Sequence, residues 1–211
     1  KVELIKLFNK YLSEGGLPEY LQNKDFDYIR TIFDNILYKD IISRYSIKKQ
    51  RPLKELINLL ATGIASTFTY NSLKNSINLS NAITVKEYIS YLNNAYLFFE
   101  VSRFDYSLKK QLTSPKKIYL IDSIFHRFGG MSFSENKGRI LENIVFVELK
   151  RRGKEIFYFS EKNECDFIIK EDTKAKEAIQ VCYNLNDENW KREIDGILEA
   201  METFNFKTGL I

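Results

Sequence analysis

Apolar residues between positions 29 and 45 recur every three or four residues, and this spacing constrains the first part of the chain to helices. The stretch YIRTIFDNILYKDIISRY places its apolar side chains on one face of a helix. Before it, Gly15 and Gly16 are suited to end one helix and Pro18 to begin the next. Residues 1–50 are therefore predicted to be a helical layer or linker.

The composition is that of a soluble globular protein. Hydrophobic residues make up 44% of the 211 residues and charged residues 28%, with 9 glycines and 3 prolines. The net charge of +4 is too small to indicate nucleic-acid binding on its own. Two cysteines form no disulfide framework, and no apolar run approaches the roughly 18–20 residues that cross a bilayer. We therefore expect a cytoplasmic protein without a membrane partner.

Residues 51–121 have the element order of a winged helix. Three predicted helices, PLKELINLLATGIA, TYNSLKNSI and SNAITVKEYISYLNNA, precede the strands YLFFEVSRF and KKIYLID, which DYSLKKQLTSP joins as a hairpin. Thr84 is the predicted N-cap of the third helix. In helix-turn-helix domains that helix enters the DNA major groove.

The lysines of this region are the candidate nucleic-acid contacts. On the third helix, Lys86 lies beside Glu87, which is a poor surface for phosphate. The hairpin offers more positive charge, although lysines on an exposed hairpin also serve solvation and edge protection. A structural or protein-interaction role therefore stays open beside DNA binding. The five candidates are Lys86, Lys109, Lys110, Lys116 and Lys117, and the residues predicted to be buried on the third helix are Val85, Tyr88, Ile89 and Leu92.

Residues 138–211 read as helix, strand, strand, strand, helix, strand, which is typical of an α/β unit. The stretch ECDFIIKEDTKAKEAIQVCYNL, residues 164–185, is predicted to form a hairpin on which Asp166, Gln180 and Cys182 converge. Glu142 borders the buried stripe of the preceding helix and is predicted to point over the sheet. Carboxylate oxygens are ligands that Mg²⁺ prefers, so Glu142 and Asp166 are candidate metal ligands for phosphodiester hydrolysis.

These residues resemble the PD-(D/E)XK pattern of restriction-endonuclease-like proteins: a helix glutamate, ECDFII on one strand and IQVCYNL on the next. The ordered stretches YLSEGGLPEYL, NILYKDIISRY, TVKEYISYLNNAYLFFEVSRFDYSLKK, KKIYLID and GRILENIVFVEL are similar to the C-terminal region of a prokaryotic family of AAA+-type ATPases. The resemblance implies a winged helix and a nuclease-like domain behind an ATP-binding module.

Two departures from the family pattern bear on chemistry. No G-x-x-x-x-G-K-[ST] occurs in the chain, so the resemblance implies that ATP binds in a module upstream of this fragment. Cys182 stands where the endonuclease lysine would be, and a neutral thiol cannot replace an ammonium. Lys150 or Lys191 could supply the charge instead, while Asp166 could simply pair with Arg139 or Arg192. We interpret Glu142, Asp166, Gln180 and Cys182 as a degenerate catalytic site with weak metal affinity.

The sequence thus predicts an α+β chain with three parts: a helical linker at residues 1–50, a winged helix at 51–121, and a nuclease-like α/β domain at 122–211 that is truncated at its C-terminus. We expect a non-catalytic accessory region of an ATPase that has no cofactor of its own and binds duplex DNA or a protein partner. The alternative is an active nuclease that uses Glu142, Asp166 and Gln180 with Mg²⁺.

Overall fold

The computed structural model describes residues 2–129 and 137–211 as a mixed α+β fold with two small sheets. The residues form two compact units: the chain up to Glu100 with the segment that begins at Ile118, and Val101–Lys117 with the chain from Lys137 onward. Residues 130–136 of the predicted nuclease-like domain lie outside the described residues. The predicted boundaries after residues 50 and 121 stay predictions.

The first unit is mainly helical. A three-stranded sheet has the strand order β1-β3-β2, and the division between the units falls within β2 and β3. Its elements are α1 Val2–Glu14, α2 Pro18–Asn23, α3 Phe26–Asn35, a π-helix Ile36–Ser43, α4 Gln50–Thr62, β1 Thr67–Phe68, α5 Tyr70–Ser76, α6 Ala82–Asn94, β2 Phe98–Ser102, β3 Lys116–Leu120 and a 3-10 helix Ser123–Gly129. In the described residues, no helix is both long and apolar enough to cross a membrane.

The helical pattern of the first unit is confirmed, with two corrections. Gly15 follows α1 at φ +74°, and Pro18 opens α2, as predicted. The buried residues of α6 are the predicted Val85, Tyr88, Ile89 and Leu92. The N-cap of α6 is Asn81 rather than Thr84, because the Asn81 side chain accepts a hydrogen bond from the backbone N–H of Ile83 at 2.8 Å. The π-helical turns of Ile36–Ser43 were not predicted, since apolar spacing does not distinguish them from α-helix.

The second unit is built on a four-stranded sheet of order β4-β5-β6-β7. Neighbouring strands are antiparallel except β6 and β7, which are parallel and joined through α9. The predicted order from α8 onward is confirmed. The elements are α7 Leu108–Thr113, α8 Lys137–Arg151, β4 Glu155–Ser160, β5 Glu164–Glu171, β6 Lys174–Ile179, α9 Trp190–Phe204 and β7 Thr208–Leu210.

Two predicted details of this unit are wrong. The segment predicted as a simple hairpin loop contains the short helix α7, whose N-cap Ser107 accepts from the N–H of Lys110. The strand β6 runs from Lys174 to Ile179, so Gln180 and Cys182 follow the strand instead of lying within it. The strand ends there because the backbone N–H of Val181 donates to the side chain of Asp166 at 3.0 Å.

Helix α9 lies unusually close to β5. A Cβ atom placed on Gly196 would lie 2.1 Å from the carbonyl oxygen of Glu164, which is far inside van der Waals contact. Around this approach Phe159, Cys165, Ile168 and Ala200 pack in one buried cluster. The glycine is therefore required by the packing of α9 on the sheet.

We expect Gly196→Ala to reduce the free energy of unfolding by about 1–3 kcal/mol, because the added methyl group forces α9 away from β5. Without the close contact, alanine in a helix interior would stabilise by about 1 kcal/mol, so the sign of the change is diagnostic. Urea unfolding measures the change. Leu198→Ala, at a side chain that is 48% exposed on the same helix, is the matched control. A variant as stable as the parent would contradict the close packing.

Candidate functional site

Lys117 is the centre of a buried polar cluster in the second unit. All five residues of β3 are buried, and Lys117 is 0% exposed. Its ammonium lies 2.9 Å from Glu142 Oε1, 2.9 Å from Asp166 Oδ1 and 2.8 Å from Glu164 Oε1. One cation thus joins α8 and β5 to β3. We define the Lys117 network as Lys117, Glu142, Glu164, Asp166, Gln180 and Glu193.

The second oxygen of Asp166 is also engaged. Asp166 Oδ2 accepts from the backbone N–H of Val181 at 3.0 Å, and the backbone N–H of Asp166 donates to Gln180 Oε1 at 3.1 Å. The backbone N–H of Gln180 donates to the carbonyl oxygen of Leu210 at 2.9 Å, which extends the β6–β7 pairing. Gln180 therefore stays beside Asp166 although the strand assignment ends one residue earlier.

The network continues onto α9 through an amide. Gln180 Nε2 donates to Glu193 Oε2 at 2.6 Å. The other oxygen, Glu193 Oε1, accepts from Arg192 Nε at 3.1 Å and from Arg192 Nη2. The side chain of Glu193 is 5% exposed and that of Arg192 is 77% exposed. The guanidinium of Arg192 therefore links the buried Glu193 to the protein surface.

Electrostatics keep Lys117 charged. Burial by itself lowers the pKa of the ammonium, but the negative charges of Asp166, Glu142 and Glu164 outweigh burial and raise the pKa above its ordinary value of 10.5. Because the pKa of the folded state exceeds that of the unfolded state, the contribution of these ion pairs is complete below the unfolded pKa. It is lost only as the pH rises through the folded pKa. The ammonium of Lys117 is thus charged throughout the neutral range.

The structure brings together three of the four predicted catalytic residues. Glu142, Asp166 and Gln180 all belong to the Lys117 network. Cys182 is half-buried and accepts instead from Asn189 Nδ2 at 3.7 Å. Asp166 pairs with Lys117 at 2.9 Å, while the guanidinium of Arg192 donates to Glu193.

The expected exposure of two candidate nucleic-acid lysines is wrong. Lys116 is 4% exposed and donates to the carbonyl oxygen of Gln111, while Lys117 is fully buried. Both lie in a strand that is covered on both faces, so neither ammonium is presented as a hairpin lysine would be. Lys86, Lys109 and Lys110 are exposed. Their contact with nucleic acid stays a prediction.

Sequence reasoning missed Lys117 as the partner of the acids, together with Glu164 and Glu193. A signal was available in KKIYLID, where lysines enter a run of strand-forming residues. A lysine in a doubly covered strand requires carboxylate partners, and Glu142 and Asp166 were acids predicted to be close together. The three-dimensional proximity itself was not readable, because residues 117, 142 and 166 are far apart in the chain.

The donors do not fit a metal ion in this arrangement. Within residues 2–129 and 137–211, no group of three or more His, Cys, Asp or Glu side chains is placed to hold a metal. An ammonium lies between the carboxylates of Glu142 and Asp166, where an ion would need open oxygen ligands. The arrangement is that of a compensated buried charge cluster.

We expect Lys117→Met to reduce the free energy of unfolding by about 3–5 kcal/mol, because it leaves buried carboxylates without their cation. Chemical denaturation measures the loss, and the exposed Lys86→Met is the matched control. The variant Lys117→Met/Glu142→Gln/Asp166→Asn should recover part of the stability, since the three substituted side chains no longer carry buried charge. A single variant within about 0.5 kcal/mol of the parent would show that the network does not stabilise the fold.

The two cysteines, both free, lie in different environments. Cys165 is 0% exposed, and its thiol donates towards the carbonyl oxygens of Phe167 and Ile179. Burial, and after it the charge of Asp166, raises the pKa of the Cys165 thiol to about 12. At neutral pH this thiol is protonated and shielded.

We therefore expect one fast-reacting thiol in the native protein and two after unfolding, since only Cys182 is partly accessible. Titration with a chromogenic disulfide at pH 8 measures this, and Cys182→Ser should remove the fast phase. Rapid labelling of Cys165 in the folded state would contradict the buried position.

The comparisons identify relatives but no activity. Residues 5–127 match the family described as "Domain of unknown function (DUF8612)". An uncharacterized protein of Methanocaldococcus jannaschii is 37% identical over 215 residues, which cover 96% of this chain and 47% of that protein. An uncharacterized protein of Haemophilus influenzae is 28% identical over 98% of this chain and 52% of its own length. The chain thus spans about half the length of these relatives. No solved structure matches it.

Proposed function

This chain belongs to the DUF8612 family, and from that premise and the Lys117 network we propose that it is a non-catalytic accessory region of an AAA+-type ATPase. In this proposal a winged-helix part precedes a nuclease-like unit, and the region binds DNA without cutting it. ATP hydrolysis belongs to a separate module of the same polypeptide.

One observation carries the non-catalytic assignment: the ammonium of Lys117 engages Glu142, Glu164 and Asp166 at 2.8–2.9 Å. Phosphodiester hydrolysis assisted by a metal requires carboxylate oxygens open to the ion and to water. Here Asp166 is bound on both oxygens, and Gln180 is bound through both its carbonyl oxygen and its amide nitrogen. Such saturation supports a structural role for the nuclease-like residues.

The accessory role is supported by the lengths of the relatives. Both proteins carry about as much chain again outside the part that this chain matches. An additional module of that size agrees with the resemblance to the C-terminal region of AAA+-type ATPases. Neither relative has an assigned activity, so the ATPase module rests on the resemblance.

DNA binding is supported by the order of elements in and after α4. Helices α4, α5 and α6 precede β2 and β3, which is the order of a winged helix. Lys86 lies on the exposed face of α6, and Lys109 and Lys110 are exposed on α7. Lysines in these positions can contact phosphates.

A specific observation favours an active nuclease as the second candidate. The sequence pattern lacks the lysine of the endonuclease motif, but Lys117 brings an ammonium to 2.9 Å from Asp166. A lysine from another strand could thus play the motif lysine's part beside Glu142 and Asp166. For that, Lys117 would have to release these carboxylates to a Mg²⁺ ion.

Incubation of supercoiled plasmid with the purified chain and Mg²⁺ or Mn²⁺ separates the candidates. We expect no nicking above the level of Asp166→Asn, because the carboxylates are committed to Lys117. We also expect duplex binding whose affinity falls steeply with added salt, measured by fluorescence anisotropy. Lys109→Ala/Lys110→Ala should weaken this binding.

Nicking by the parent that Asp166→Asn abolishes, in a variant with an unchanged circular dichroism spectrum, would establish the nuclease instead. Absence of duplex binding at low salt would contradict the DNA-binding role.

A further inference from the structure

The first turns of α1 expose a contiguous apolar surface in the first unit. Residues 2–10 of this helix are all exposed. Leu4, Ile5, Leu7 and Phe8 lie side by side on one face of the helix, and these residues are 71%, 60%, 59% and 40% exposed, respectively. Single exposed apolar residues are ordinary, whereas a contiguous apolar patch marks a site of interaction.

The far end of the same helix is firmly held by its own unit. Leu12, on the same face, is buried. The carbonyl oxygen of Ser13 accepts from Arg127 Nη2 at 2.9 Å, and the N–H of Gly16 donates to Asp122 Oδ2 at 2.7 Å. The apolar face of α1 is therefore buried at its C-terminal end and exposed to solvent at its N-terminal end.

The width of the open face indicates what kind of surface covers it. At about 100° per residue, the four residues from Leu4 to Phe8 span an arc of about 160°. A two-stranded coiled coil uses a narrower seam, whereas a helix seated in a globular body has a broad apolar stripe. Glu3, Lys6 and Lys10 lie outside the arc and would remain in solvent. The matching surface is therefore an apolar groove.

We infer that this face, defined as the α1 face by Leu4, Ile5, Leu7 and Phe8, docks in an apolar groove of the ATPase module. The two curated relatives carry about half of their length outside the matched region, which supplies a body of sufficient size. This docking rests on the proposed function, since it requires such a module in the same polypeptide. It would couple the module to the nucleic-acid-binding region through one helix.

Hydrogen–deuterium exchange on this chain and on its natural full-length polypeptide tests the docking. In the isolated chain, residues 2–10 of α1 are exposed, and we expect their backbone amides to exchange rapidly. In the full-length polypeptide the same amides should exchange at least about tenfold more slowly. Leu4→Glu/Phe8→Glu should abolish this protection, whereas Lys6→Ala/Lys10→Ala, on the opposite face, should preserve it.

The outcomes separate this inference from the proposed function. A full-length polypeptide without an ATP-binding module overturns both. A module that is present but leaves α1 unprotected overturns the docking alone. Light scattering on the isolated chain tests whether a second copy of the chain binds the α1 face. A dimer that Leu4→Glu/Phe8→Glu dissociates would assign the face to that copy and overturn the inference.

Discussion

The ammonium of Lys117 at 2.8–2.9 Å from three carboxylates is the interaction on which the second unit depends. A buried charge is costly unless it is paired and hydrogen-bonded, and here β3 supplies the ammonium, α8 one carboxylate and β5 two. Asp166 then fixes the chain after β6, and Gln180 passes the connection to Glu193 on α9. Each element is thus placed by a polar contact as well as by packing.

This constraint gives the residues that match the nuclease pattern a structural role of their own. The three residues that match the motif are also the residues that hold the strands and helices in register. Losing any one would leave a buried group without its partner, which is strongly destabilising. Retention of the acids is therefore compatible with a structural role. The two candidate functions differ in one respect: the nuclease requires Lys117 to release Glu142 and Asp166 to a metal ion, and the structural role does not.

The two ends of the chain carry different kinds of surface. In the second unit, the buried carboxylates of Glu142, Asp166 and Glu193 are paired within the fold. In the first unit, the outer turns of α1 expose an apolar face. The apolar face is suited to a permanent partner in the same polypeptide, and the exposed lysines are suited to a screened, reversible partner such as nucleic acid.

Local sequence predicted much of the element order because apolar spacing reports directly on helix and strand. The buried residues of α6, the glycine that follows α1, and the series from α8 to β7 followed from period, caps and turn residues. The end of β6 at Ile179 did not, because strand-forming residues continue to Cys182 whereas the backbone N–H of Val181 donates to the side chain of Asp166.

By itself, the sequence determined the helical and strand segments and three of the acids and amides that meet. Only the tertiary structure decided the identity of their cation. Lys117 is one of several lysines in a basic stretch, and although KKIYLID places it in a strand, no local pattern identifies the acids that it meets. Because β3 is buried on both faces, the ammonium of Lys117 is not solvated by water. It is stabilised instead by the carboxylates of α8 and β5. That pairing depends on contacts between residues far apart in the chain, and the order of charges along the sequence does not predict such contacts.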